Sequence, residues 1–226
     1  MREVSSVLRA SGLALLMAVV GEGGCSGGQG PHGHQDKRFV DPAECAGRWN
    51  DPGRDEWQKP AELMAAMAME PGAIAADVGT GTGYFVPHLS AAVGVGGKVL
   101  AVDIEQGMLD FTAKLAAERG LSNIEYVLAD LDDPKLPEGG VDRVLIVNTW
   151  HHIAYREAYG ARLRRALKPG GSVWVVDFRK DAPDGPPVEY RLPPQVIAAE
   201  LEAAGFAAEI DPLILPRQHV IVGRLP

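Results

Sequence analysis

A chain of 226 residues and 24.1 kDa holds one α/β-sized domain with a short extension and is too short for two full domains. Its residues are 46% hydrophobic and 23% charged with no charge-rich tract, which permits a buried core and excludes wholesale disorder. The 22 Lys and Arg against 30 Asp and Glu give a net charge of -8, so the basic footprint of a general nucleic-acid binder is missing; the two cysteines, Cys25 and Cys45, make neither a disulfide framework nor a four-cysteine zinc site.

Residues 1–30 differ from the rest of the chain. Arg2 and Arg9 precede a nine-residue apolar run, 12–20, and a glycine-rich stretch follows it. Nine apolar residues cannot span a bilayer, which needs roughly 20. They suit the apolar region of an export signal, with positive residues before and small ones after. Cys25 directly after Gly23 and Gly24 resembles a bacterial lipoprotein processing site, although Glu22 stands where an aliphatic residue is usual. A leader and flexible linker over 1–30, a membrane tether through Cys25 and a cell-envelope location are therefore expected, with a cytoplasmic protein as the alternative. Residues 31–59 read as an N-terminal cap or lid. The segment His32 to Asp36 within them is a linker rather than a metal site, and no metal is expected elsewhere.

From residue 60 onward the chain alternates. Apolar, β-branched runs at 73–78, 98–103, 124–129, 141–148 and 172–178 read as strands. Helical patterns at 84–93, 106–119 and 156–167 lie between them. Near-continuous apolar strands separated by helices predict a parallel sheet covered on both faces. A Pro/Gly-rich loop then leads to a helix over 194–204, entered through Pro193 and Pro194 and stopped by Gly205. Strands at 207–210 and 219–224, joined by a short connection, suit a hairpin. The expected fold over 60–226 is three-layered α/β and doubly wound, with seven strands, mostly parallel and the last antiparallel.

The loop after the first strand is Asp77-Val78-Gly79-Thr80-Gly81-Thr82-Gly83. Its glycines allow a sharp turn and close approach to a ligand. A dinucleotide loop would need G-x-G-x-x-G, but the sixth position is Tyr84 counted from Gly79 and Val86 counted from Gly81. A P-loop fails too, since no Gly-Lys-Ser/Thr follows. An NAD-dependent oxidoreductase is disfavoured by the same register.

The D-x-G-x-G-x-G spacing resembles the first motif of class I S-adenosylmethionine-dependent methyltransferases. The resemblance extends over about 60–224 through Asp103 at the second strand's end, Asp130 and Leu131 after the third, Asn148 after the fourth, and the turn 167–171, which looks like the family's LKPGG. It implies S-adenosylmethionine as cofactor, held by Asp77, Gly79, Thr80, Gly81, Gly83, Tyr84, Asp103, Ile104, Asp130, Leu131 and Asn148. Asp103 would accept from the ribose hydroxyls, Asp130 would sit at the adenine amino group, and Tyr84 would reach the amino-acid end.

Methyl transfer is an in-line displacement, so a nucleophile must be held about 3 to 3.5 Å from the methyl carbon. A base is needed only where the acceptor must lose a proton. His151 and His152, after the fourth strand, are the candidate catalytic residues, with orienting or packing roles as the alternative. Trp57 or Gln58 could line the lid, and Trp57 could equally anchor it by packing. Cysteines for arsenic are too few, with at most Cys45 left if Cys25 is processed; acidic partners for a catechol-type metal are missing after Asn148 until Glu157, and Asn148-Thr149-Trp150-His151 stands in place of an N/D-P-P-Y/F signature. O- or C-methylation of a small-molecule acceptor is the expectation. A non-catalytic cofactor-binding sensor or scaffold is the competing one.

Overall fold

The computed structural model describes residues 41–226. Seven strands form one sheet: β1 (Ile74–Val78), β2 (Lys98–Asp103), β3 (Ile124–Leu128), β4 (Val141–Val147), β5 (Leu167–Phe178), β6 (Ala207–Ile210) and β7 (Gln218–Arg224). Their order is β3-β2-β1-β4-β5-β7-β6. Strands β1 to β5 run parallel, and β7 lies antiparallel between β5 and β6. The last strand is therefore interior, and β6, the penultimate one, forms the edge.

Among the described residues, seven α-helices accompany the sheet: α1 (Pro42–Trp49), α2 (Arg54–Gln58), α3 (Pro60–Met67), α4 (Val86–Val93), α5 (Gln106–Glu118), α6 (Arg156–Ala166) and α7 (Pro194–Ala203). The period-two alternation along the central strands sorts their side chains between two cores. On β4 and β5, Val144, Ile146, Val173 and Val175 join Trp150, Leu163, Ile197 and Leu201 on one face. Leu145, Val147, Trp174 and Val176 join Leu63, Phe85, Leu89 and Leu215 on the other. Both faces of the middle strands are thus dry, as their unbroken apolar runs demand.

The sequence expectation needs correction at several places. β3 is an edge strand with Tyr126 and Leu128 exposed, so it is covered only in part. The helix expected from residue 84 starts at Val86, because Gly81, Gly83 and their neighbours spend 81–85 in turns. Leu167 belongs to β5 rather than α6, and the turn 168–171 appears as a register break between β4 and β5. The chain also forms α1 and α2 over 42–58, where no individual helix is legible in the sequence. Asp41 caps α1 by accepting from the amides of Ala43 and Glu44, and Pro42 enters its first turn.

Strand order reverses between β1 and β4, whose neighbours lie on opposite sides. In an open α/β sheet the loops diverge at that point and leave a crevice beyond the strands' C-terminal ends. The cavity described next lies there.

Candidate active site

A cavity of about 770 Å³ opens over the C-terminal ends of β1, β2 and β4. Its floor is the glycine loop. The amides of Gly79 and Thr80 both donate to the Val102 carbonyl, at 2.8 and 3.0 Å, which folds the loop over β2. Gly79 has φ +76, and a Cβ there would stand 2.2 Å from Thr149 Oγ1, so only glycine fits. The Gly81 amide donates to Asp103 Oδ2 at 2.9 Å, and the Glu105 amide to Oδ1 at 3.0 Å. Asp103 thus holds the loop and retains lone pairs that can accept from a ribose. Burial raises its carboxyl above the usual range, while those amides pull it back.

Asp77, at 3% exposure, accepts from Thr80 Oγ1 at 2.8 Å. Burial pushes its carboxyl up to about 7, and the neighbouring charge of Asp103 adds to the rise; the Thr80 bond and Arg54 oppose it. Asn148 stands at φ 54, and its Oδ1 accepts from Gln218 Nε2 at 2.5 Å. Asp77, Gly79, Thr80, Gly81, Tyr84, Asp103, Ile104, Asp130, Leu131 and Asn148 all line the cavity. Gly83 does not. A Cβ on it would meet the Thr112 side chain at 2.9 Å, so this glycine lets α5 pack behind the loop. The Asp130 carboxylate lies at the exposed rim, paired with Lys135 Nζ at 2.9 Å.

The opposite wall comes from segments far apart in sequence. The 3-10 turn Trp150–His152 is fixed to α7, because Trp150 Nε1 and Arg156 Nε each donate to Glu200 at 2.8 Å. That places His151 and His152 on the cavity wall, with ring centroids 4.3 Å apart. His151 is buried, and its Nδ1 lies 2.9 Å from both oxygens of Asp177, itself fully buried near the end of β5. The Phe178 amide donates to Asp177 Oδ1 at 2.8 Å and fixes the carboxylate's plane. Phe178 lies 5.9 Å from Trp57, ring centre to ring centre, and Arg217 lies 4.8 Å over the other ring system of that pair, Trp57. Arg217 is paired with Asp184 at 2.5 Å, on the loop that passes Gly185 across Phe178.

Helices α1 and α2 close the third side. Asn50 and Thr82 bond reciprocally: Asn50 Nδ2 donates to the Thr82 carbonyl at 3.0 Å, and Thr82 Oγ1 donates to Asn50 Oδ1 at 2.8 Å. A directed chain crosses the site from α2. Arg54 Nε donates to Gln58 Oε1 at 2.6 Å, Gln58 Nε2 donates to Gln218 Oε1, and Gln218 donates to Asn148. Gln58 is therefore a buried link rather than a lining residue, whereas Trp57 lines the cavity. The Tyr84 hydroxyl donates to Asp55, and burial with that bond raises the phenol well above its ordinary range.

Asp177, Phe178, Arg54 and Arg217 escaped the sequence reading. For Asp177 a signal existed, since an acidic residue interrupts the otherwise apolar end of β5. For the rest, only the folded chain brings 54, 178 and 217 together.

The volume suits a small-molecule pocket, and the bare backbone of the loop with an acid at the end of β2 fits an adenosyl group. Comparisons with known proteins agree. Residues 75–171 match the family model described as "Methyltransferase domain". The chain is 33% identical over 166 residues to nocamycin O-methyltransferase of Saccharothrix syringae, covering 73% of this chain and 57% of that protein. It is 32% identical over 105 residues to the ubiquinone/menaquinone biosynthesis C-methyltransferase UbiE of Pseudomonas putida, covering 46% of this chain and 41% of that one. The chain thus spans about half the length of the curated relatives it matches. A crystal structure of a SAM-dependent methyltransferase from Aquifex aeolicus superposes with a TM-score of 0.76 at 26% identity, covering 83% of this chain and all of that one. These matches support a class I S-adenosylmethionine-dependent methyltransferase domain over this part of the chain, a class whose cofactor is S-adenosylmethionine.

Proposed function

We propose that the protein is an enzyme that transfers a methyl group from S-adenosylmethionine to an oxygen or carbon of a small-molecule acceptor. The observation that carries this reading is the His151–Asp177 pair, set in the cavity wall across from the glycine loop. Relatives named as an O-methyltransferase and a C-methyltransferase support the same two acceptor atoms.

The cofactor supplies a methyl group on a sulfonium, an electrophile with an excellent leaving group. The residues then have two tasks. Gly79, Gly81 and Asp103 hold the adenosyl half at the strand ends. His151 takes the proton that a hydroxyl or acidic carbon gives up. Asp177 accepts a hydrogen bond from Nδ1–H and so holds the proton on Nδ1, which makes Nε2 the basic nitrogen. His152 packs beside it, with ring centres 4.3 Å apart and planes tilted by 40°, and supports the ring.

The test pairs turnover with binding. The wild type should transfer label from methyl-labelled S-adenosylmethionine to a phenol or enol acceptor found by panel screening. His151→Ala and Asp177→Asn should each lower kcat by roughly 10²- to 10⁴-fold, while S-adenosylhomocysteine affinity stays within about threefold. Full turnover in both variants would remove the base. A wild type that binds tightly yet methylates nothing in the panel or in a broad extract would favour a cofactor-binding sensor.

The leader stays part of the proposal on sequence grounds alone, since Cys25 lies outside the described residues. Lipidation at Cys25 would tether the enzyme to the cell envelope. Mass spectrometry of the natural N-terminus decides it, because an intact Met1 refutes processing at Cys25.

A further inference from the structure

The crossover from β5 to α7 is poor in backbone donors. Pro183, Pro186 and Pro187 bring no amides to it, and its own backbone bonds are those of short turns, Ala182 to Arg179, Tyr190 to Pro187 and Arg191 to Val188. Its carbonyls are gathered by one side chain instead. Arg191, at 6% exposure, donates from Nε to the Pro186 carbonyl at 2.7 Å. Its Nη1 donates to the carbonyl of Ala182 at 2.7 Å and to those of Arg179 and Lys180 at 3.3 Å each. One guanidinium thus ties both limbs of the loop from inside, which a lysine ammonium, a single point donor, would not span.

Arg191 is not among the residues lining the cavity, whereas Asp184, Gly185, Pro186 and Pro187 of the loop it holds are. Gly185, at φ +121, lays its backbone against Phe178: a Cβ there would stand 2.7 Å from the ring's Cδ1. Asp184 pairs with Arg217, whose guanidinium lies 4.8 Å over the Trp57 ring. Phe178 reaches the same ring at 5.9 Å, its plane tilted by 32°. Trp57 needs these partners, because α2 has only five residues and so short a helix does not hold itself. Support therefore runs from Arg191 through the loop to Phe178 and Arg217, and from them to Trp57. The wall so built is apolar and flat. Its two charges, Asp184 and Arg217, are spent on each other, so an ion resting there would lose water without gaining a partner. A flat, uncharged ring suits it.

We infer that Arg191 is a positioning residue for the acceptor: by pinning the loop 179–187 it sets the Trp57–Phe178 wall, against which a flat, uncharged, hydroxylated ring rests. The inference rests on the methyltransferase reading of the site and names the acceptor class which that reading leaves open.

Calorimetry on the full chain, saturated with S-adenosylhomocysteine, reads the wall directly. The probes are 2-naphthol, flat and uncharged at neutral pH, and decahydro-2-naphthol, its puckered counterpart. Ring contacts with Trp57 and Phe178 should give the wild type about a tenfold preference for 2-naphthol. Arg191→Met keeps an apolar stem and removes the donors. It should cut 2-naphthol affinity by roughly tenfold and erase the preference, while S-adenosylhomocysteine affinity stays within about twofold. Arg191→Lys keeps the charge but reaches one limb of the loop, and should recover about threefold of that loss. Amide hydrogen exchange over 179–190 should rise in Arg191→Met and less in Arg191→Lys. A preference that survives in Arg191→Met while the loop exchanges freely makes Arg191 a structural pin and overturns the inference. Equal losses of 2-naphthol and S-adenosylhomocysteine overturn it too, because they report a general loosening. If Arg191→Met does not fold, Arg191→Lys carries the comparison: the preference must narrow while S-adenosylhomocysteine affinity holds. A loaded wild type that binds both alcohols alike, or neither, overturns the inference with no variant needed. A wild type that binds no S-adenosylhomocysteine breaks the methyltransferase reading itself, an outcome distinct from the others.

Discussion

The two halves of the cavity are built in different ways. The cofactor half is local: Asp77 to Gly83 is one turn, and Asp103 reaches it from the next strand over a single 2.9 Å bond to Gly81. The acceptor half gathers Trp57, His151, Asp177, Phe178 and Arg217 from three separate elements and a loop. A local half is dictated by backbone constraints that few residues satisfy, so it can be recognised in a string of letters. A dispersed half depends on side chains whose meeting is set by the sheet's order. One carries the chemistry common to the class, and the other carries what distinguishes this protein.

The sharpest way to break that contrast is Gly79→Ala. The new Cβ would face Thr149 Oγ1 at 2.2 Å, at a φ of +76 that alanine resists. Cofactor binding should fall by at least about 100-fold, with a loss of roughly 2–4 kcal/mol of stability, measured by calorimetry and denaturant unfolding. Near-normal binding would show that the loop is not held by backbone geometry. The matching change in the other half is Trp57→Ala. It strips the ring that Phe178 and Arg217 pack against. Acceptor KM should rise by about tenfold, while S-adenosylhomocysteine affinity moves by less than about twofold. Equal losses of both ligands would mean that the halves are not separable.

A smaller effect is expected from Asp77, through pH. Its folded carboxyl sits at about 7 against an ordinary value of 3.8. The native state therefore binds more protons than the unfolded chain between those values, and stability must fall as pH rises through that window. The contribution is fully present below pH 4 and gone above about 7. The thermal midpoint should drop by roughly 5 °C across it, and Asp77→Asn should flatten the slope. A slope that survives the substitution would place the titration on another group.

Much of the fold was legible because hydrophobic runs and turn residues are local signals. Positions 98–103 and 207–210 coincide with β2 and β6, since a Pro/Gly or glycine boundary flanks each. The strand placed last in sequence lies inside the sheet, which no local pattern encodes. Asp103 and Asn148 were found because they end strands at the cavity. Gly83 carries the same motif letter as Gly79, yet it serves packing against Thr112, and a motif cannot separate those two reasons for glycine. Asp177 was the readable miss. An acid inside a buried strand has to be partnered, and its partner, His151, was already in view. Arg54 and Arg217 had no such signal, because surface and site arginines look alike until the chain is folded.

The smallest predicted effect tests whether the wall formed by α1 and α2 is a fixed part of the site. Asn50 and Thr82 are joined by two bonds, at 3.0 and 2.8 Å, that tie the end of α1 to the glycine loop itself. Thr82 is buried at 1% exposure, so its hydroxyl has little water to turn to when Asn50 is removed. Asn50→Ala and Thr82→Val together should show a coupling of about 1 kcal/mol in a double-mutant cycle. The consequence for the ligand is kinetic. If the bonded wall is what slows departure of the adenosyl group, each single variant should speed S-adenosylhomocysteine release by roughly fivefold, about 1 kcal/mol on the barrier. The association rate should change less, because the loop's glycines and Asp103 remain as they were. An association rate that rises as steeply as release would mean that the wall opens freely in the unliganded protein. The boundary between the two halves would then lie at the glycine loop rather than at α1.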